Sequence, residues 1–332
     1  MFGGFLSLLS AVTFAYANAS VRRGVLTGTV LQAVAISLPV AFPFFILAMA
    51  VSGGFAALGG FDTRTLVLLA LAGIVHFALA RYCNYRATKA IGANLVAPVQ
   101  QYSLVITLAL AVLWLGEGLT VLRILGIGMV VAGPAFTLGP DKKPVAAAPP
   151  AGAGAAFAPQ YREGYFYALL SAIGFGLSPI LVGMAFQTKG LAIGIAGGFV
   201  SYIAATVLVA LAFVLPGQRR SFREIDGVSA KWFVVSGIAV GLSQMFRYMA
   251  LAIAPVSVVS PIQRLSLVFR IYFGAWLNPH HEVFGGRVIV GTVISLLGAI
   301  FLSVSIDGIL HGLTLPAPLL AVLAWTWHFS WP

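Results

Sequence analysis

The chain of 332 residues carries a formal net charge of +11, yet only 8% of its residues are charged and 60% are hydrophobic, with a mean hydropathy of +1.02. Soluble domains charge about a quarter of their positions, so this composition excludes a soluble protein and reads as an integral membrane protein. The excess of 19 Lys and Arg over 8 Asp and Glu is too thin for a nucleic-acid face, and the single cysteine, Cys83, makes neither an internal disulfide nor a metal site.

A bilayer core about 30 Å thick needs roughly 20 apolar residues per helix, because every backbone polar group must be paired within the segment. Ten runs meet that demand: Phe2 to Ala19, Gly28 to Val51, Thr65 to Lys89, Ala93 to Leu115, Leu119 to Leu138, Gly164 to Phe186, Gly190 to Leu215, Lys231 to Ile253, Val256 to Leu277 and Val283 to Ile306. The first run contains a cleavage-like Ala15-Tyr16-Ala17 but lacks the positive start of a signal peptide, so it is expected to be retained. Between the fifth and sixth runs, residues 139–162 are rich in Pro, Ala and Gly and read as a flexible linker. After the tenth, the tail 307–332 has no Lys or Arg and ends in a Trp-rich stretch, Leu319 to Trp331. It reads as an interfacial anchor, an eleventh helix being the alternative.

The linker divides two halves, residues 1–138 and 163–306, that resemble each other. Pro98-Val99-Gln100-Gln101-Tyr102-Ser103-Leu104 faces Pro261-Ile262-Gln263-Arg264-Leu265-Ser266-Leu267, 163 positions further on, with four of seven residues identical. After small gaps Arg81-Tyr82 pairs with Arg247-Tyr248, Leu9-Ser10-Ala11 and Phe14 pair with Leu170-Ser171-Ala172 and Phe175, and Gly126 and Gly133 pair with Gly291 and Gly298. Five helices per half is an odd number, so the second half enters the bilayer upside down relative to the first. The fold expected is therefore an all-α membrane protein of ten helices in two inverted five-helix repeats.

Loops after helices 1, 3, 5, 7 and 9 carry twelve Lys and Arg, among them Arg22, Arg23, Arg86, Lys89, Lys142 and Lys143, against Arg64, Arg123 and Lys189 in the alternate loops. The positive-inside rule puts the N-terminus outside and the linker in the cytoplasm.

Two five-helix halves, Arg-Tyr near the ends of helices 3 and 8, and Leu115-Gly116-Glu117 opening a Gly-rich fifth helix resemble the EamA-type transporters of the drug/metabolite transporter superfamily, from Phe2 to Ile306. The resemblance implies a ten-helix carrier with a central cavity between the halves, moving small organic solutes by alternating access in a bacterial-type inner membrane. The second half departs from the pattern, reading Leu277-Asn278-Pro279-His280-His281-Glu282 where the first has Leu-Gly-Glu. Members of the family are drawn with a cytoplasmic N-terminus, opposite to the charge count here.

All eight acids, Asp62, Glu117, Asp141, Glu163, Glu224, Asp226, Glu282 and Asp307, fall in loops or at predicted helix ends. A carrier of cationic drugs generally needs a buried acid, so cation export is the weaker reading. Arginines do enter the spans: Arg264 and Arg270 lie inside helix 9, and Arg81 and Arg247 toward the ends of helices 3 and 8. An Arg at a helix centre costs about 2.5–3.5 kcal/mol on insertion scales, so each should face protein or a wet cavity, where guanidinium grips carboxylate or phosphate. Gln263, Ser266 and Arg270 share one helical face, as do the equivalent Gln100, Ser103 and Thr107. Two such faces meeting near the midplane make a substrate site, with Arg270 as its first anion contact. Arg264, about 100° around the helix from Gln263, borders that site or snorkels.

Pro98 and Pro261 stand near the starts of helices 4 and 9, either as helix initiators or as breaks whose freed amides face an anion. His76, with Asn84 two turns on, is the one intramembrane group expected to titrate near neutral pH. Tyr82, Gln244 and Tyr248 offer hydrogen bonds or stacking, with interhelical packing as the alternative for each. Gly190, Gly194 and Gly198 read as a close helix contact. Adjacent His280-His281-Glu282 lacks metal-protease spacing, and no nucleophile elbow or phosphate loop is present, so no enzyme, metal or cofactor is expected. The reading is a carrier of a small-molecule metabolite, anionic or zwitterionic, with export favoured. The alternatives are a translocator of a phosphate-bearing lipid-linked substrate or a cationic drug exporter, and oligomeric state is left open.

Overall fold

The computed structural model of the protein describes residues 2–115, 119–137, 158–186, 190–212, 224–253, 259, 262–303 and 325–327. Glu117, Pro261, Asp307 and most of the linker and tail lie outside these described residues. Within them the regular structure is helical apart from one two-residue pairing of β1 (Leu119–Thr120) with β2 (Thr326–Trp327), which brings part of the tail back beside the start of the fifth helix.

The first helix, α1 (Phe2–Gly24), runs beyond its apolar core to include Arg22 and Arg23. The second span is α2 (Val30–Ser37) and α3 (Phe42–Ser52), with a 3-10 turn, Pro39–Ala41, between them and a short α4 (Gly54–Gly59) after them. Pro39 opens that turn and Pro43 sits in the first turn of α3, positions where a missing N–H costs little. Thr29 and Gln32 form a reciprocal capping box on α2. The third span joins α5 (Thr63–Gly73), capped by Asp62, to α6 (Arg81–Ile91) through a π-helical stretch, Ile74–Ala80, that carries His76.

The fourth span is broken into α7 (Ala93–Gln100) and α8 (Tyr102–Leu115) at Gln101, where the amides of Gln101 and Leu104 bond three residues back rather than four. The same tightening recurs at Leu265, between a helical turn at 262–264 and α13 (Ser266–Leu277). Between these lie α9 (Val121–Thr137), α10 (Tyr161–Ala185), α11 (Leu191–Ala212) and α12 (Gly227–Ile253), and α14 (Gly286–Ser303) follows.

Seven helices among the described residues are long and apolar enough to cross a membrane, from Phe2–Gly24 to Gly227–Ala250. The expected fifth, ninth and tenth spans appear as shorter helices of 17, 12 and 18 residues. The described helix of the ninth begins at Ser266, after the break at Leu265. Large apolar side chains such as Leu47, Val51, Leu211 and Trp276 are exposed on the outside, the arrangement of an all-α protein bathed in lipid.

Small residues set the helix contacts. Gly126 of α9 and Gly298 of α14 face each other, and a Cβ added to either would come within 2.8 Å of the other's carbonyl oxygen. The pair α1 and α12 is held by serines seven residues apart. Ser229, Ser236 and Ser243 donate to the carbonyls of Gly24, Ala17 and Ser10 at 2.9 Å each. Such hydroxyl–carbonyl bonds tie helices where burying apolar surface supplies no drive.

Candidate functional site

A cavity of about 400 Å³ lies among α1, the π-helical stretch, α7, α8 and α10 to α13. Both broken helices contribute their polar faces to it: Gln100, Ser103 and Thr107 from one, Gln263, Arg264, Ser266 and Arg270 from the other. Gln244, Arg247 and Tyr248 of α12 and His76 complete the residues that the sequence pointed to. The cavity reaches the α10–α11 end, at Gly183, Phe186, Gly190 and Gly194, so two glycines of the four-residue repeat line open space.

Two expected site residues are elsewhere. Arg81 donates to the Tyr202 hydroxyl at 3.0 Å, with its guanidinium 5.2 and 5.4 Å from the Phe77 and Tyr202 ring centroids. Tyr82 accepts from Arg86, which also donates to Glu163 at 2.7 Å. The Arg-Tyr repeat therefore diverges: Arg247 and Tyr248 line the cavity while Arg81 and Tyr82 pack behind it. Pro98 lies inside α7.

The floor is ordered by hydrogen bonds. Gln100 donates to Asn84 at 2.5 Å, and Asn84 donates to Asn18 at 3.0 Å, so α7, α6 and α1 share one buried amide chain. Thr107 is satisfied by the carbonyls of Ser103 and Gly176. His76 packs edge-on to Phe77 and against Phe175, at 4.8 and 4.7 Å between ring centroids.

The arginines are in a different condition. Arg270 is 2% exposed, its guanidinium lies 4.9 Å from the Phe14 ring centroid, and its Nε and Nη1 have no hydrogen-bond partner among the described residues. Arg264 Nε and Gln263 Nε2 are likewise without one. Arg247 has a long bond of 3.4 Å to Gln244. No carboxylate lines the cavity among the described residues. Unpaired buried donors of positive charge are costly, and an anion is the chemical complement that relieves them.

Sequence reasoning missed Ser10, Phe14, Phe175, Ser178 and Ser243 as lining residues. The signal for two of them was present, since Phe14 and Phe175 match between the halves.

It also missed the closure at the linker end. Arg22, 1% exposed, donates to the carbonyls of Thr88, Lys89 and His281 and lies 4.0 Å from Glu282. Glu282 accepts from the Ala93 and Asn94 amides at 2.7 and 3.0 Å, capping α7 where Gly92 turns with φ +81. A Cβ at Gly92 would run into this carboxylate. Burial pushes the Glu282 carboxyl upward, opposed by Arg22, the two amides and Arg270. The insertion that breaks the Leu-Gly-Glu pattern thus places its acid on the start of the other half's broken helix.

Residues 1–139 match the model of the EamA-like transporter family. No curated protein matches the chain. Among solved structures, one titled only as a crystal structure of a protein is 18% identical, with a TM-score of 0.58 over 90% of this chain and 94% of its own. At that identity the likeness concerns the fold.

Proposed function

Proceeding from a chain whose residues 1–139 match the EamA-like transporter family model, we propose that this multi-pass membrane protein is a secondary carrier of a small organic anion or zwitterion. It works by alternating access, with export as the direction. The observation that carries the solute class is the set of Arg247, Arg264 and Arg270 around one cavity with no carboxylate among its described lining. A cation would meet the repulsion of three guanidinium groups there with no described carboxylate to offset it, while an anion gains charge-assisted bonds.

The working unit is ten helices in two inverted halves, residues 1–138 and 163–306, with 139–162 as linker and 307–332 as an interfacial tail. Exchanged interfaces support this arrangement. α1 packs on α12 as α10 packs on α5 and α6; α13 packs on α1 as α8 packs on α10; α9 packs on its own counterpart α14. The N-terminus lies outside, so the cavity reaches the outer face and the Arg22–Glu282 closure seals the cytoplasmic one. Opening inward requires Glu282 to leave the α7 amides, which makes that cap the element with two states.

The test is solute flux in proteoliposomes made with the wild-type protein and Arg270→Ala. Loss of flux in a variant that still inserts and folds is the expected result; unchanged flux removes the cavity arginines from the mechanism.

A further inference from the structure

Resting on the anion reading above, we infer that the solute is an amphipathic organic carboxylate, one negative group on a ring-bearing or bulky apolar body, with no ammonium group. The cavity is divided by chemistry. Its charged and amide donors come from the broken helices and α12, whereas the side formed by α1, α10 and α11 offers, beside Ser10 and Ser178, Phe14, Phe175, Val182, Phe186 and Ile193. Phe14 and Phe175 occupy matching positions in the two halves, so a ring lying between the halves meets an aromatic wall from each.

The donor side selects the sign and the number of charges. Among the buried cavity-lining groups without a partner among the described residues, Arg270 Nε and Nη1, Arg264 Nε and Gln263 Nε2 are donors, and these include all the charged ones. Phe14 covers one face of the Arg270 guanidinium, and its Nε and Nη1 remain for a ligand to bond. The Gln101 side-chain oxygen and His76 Nδ1 are also without a partner there, and neither carries a negative charge to hold an ammonium. A zwitterion would therefore leave its cation facing guanidinium groups at a cost that a plain carboxylate avoids. A small hydrophilic anion would leave the apolar side of a 400 Å³ space unfilled.

The experiment is thermal unfolding of the full chain in nanodiscs of neutral lipid, with phenylpropionate, phenylalanine, phenethylammonium, acetate and inorganic phosphate as probes, and with phosphatidic acid added to the disc as a separate arm. Stabilisation by phenylpropionate above every other probe is expected. Arg270→Gln should weaken its apparent affinity about ten- to hundredfold, the range for a hydrogen bond to a charged group, and Phe175→Ala should bring phenylpropionate down toward acetate. The Arg270→Gln protein also reports any partition of the probe into lipid, and Arg264→Gln serves if that variant does not fold.

Equal stabilisation by phenylalanine overturns the exclusion of ammonium. Equal stabilisation by acetate or phosphate overturns the apolar body while leaving the anion reading intact. A larger effect of phosphatidic acid assigns the cavity to a lipid headgroup and overturns the soluble acid. Stabilisation by phenethylammonium alone overturns both this inference and the anion reading.

Discussion

Arg22 and Arg270 are buried to nearly the same degree, 1% and 2% exposed, yet one sits among three carbonyls and a carboxylate and the other has two nitrogens without partners among the described residues. Burial alone therefore does not tell a structural arginine from a binding one. The difference lies in what surrounds the guanidinium: helix-end carbonyls and Glu282 at the linker end, apolar rings and open volume in the cavity. A satisfied guanidinium holds helices together, and an unsatisfied one stores a demand that a ligand meets.

The largest effect expected is on stability at the linker end. Arg22→Ala leaves Glu282 buried without its cation and should cost about 3–5 kcal/mol, the range for breaking a buried pair from one side, read as a fall in unfolding free energy in detergent. A loss under about 1 kcal/mol, typical of exposed pairs, would put Arg22 in the same condition as Arg270.

Arg270→Ala should lose transport without that penalty. Removing an unpaired buried charge leaves the unliganded melting temperature level or higher, and a drop matching that of Arg22→Ala would erase the contrast. The serine ladder sharpens it further, because Ser229 stands near the linker end and Ser243 on the cavity. Ser236→Ala, between them, should cost about 0.6 kcal/mol, the average for such bonds in membrane helices, and should leave transport unchanged.

The smallest effect is a pH dependence of the linker-end caps. Asp226 accepts from Ser229 and Thr27, and these bonds hold its carboxyl down to about 2 from an ordinary 3.8. A depressed carboxyl contributes stability above its unfolded value and loses it as pH falls through the folded one, so the contribution of Asp226 should fade between about pH 4 and 2. Asp226→Asn should flatten that part of the stability profile; an unchanged profile would mean that Asp226 is not the cap that titrates.

Much of the polar lining of the cavity was legible because polar residues on an apolar helix are few and their spacing is regular. Gln100, Ser103 and Thr107 reach the cavity with Gln263, Ser266 and Arg270, as shared faces on two matched helices imply. Arg81 and Tyr82 did not follow Arg247 and Tyr248, because Tyr202 of α11 takes the Arg81 guanidinium, and nothing near Arg81 in the chain announces that tyrosine. The ladder of Ser229, Ser236 and Ser243 was not read from the sequence, and its seven-residue interval does not say which helix supplies the carbonyls.

By itself the sequence determined a membrane-embedded helical protein and where its apolar runs lie, since hydropathy and helical period are local properties of the chain. Only the tertiary structure decided which arginines are satisfied. The carbonyls that hold Arg22 come from residues 66 to 259 positions away, and the carboxylate that caps α7 comes from a loop 188 positions on. Whether a buried charge has a partner depends on which distant backbone ends meet it, and that is settled when the helices pack.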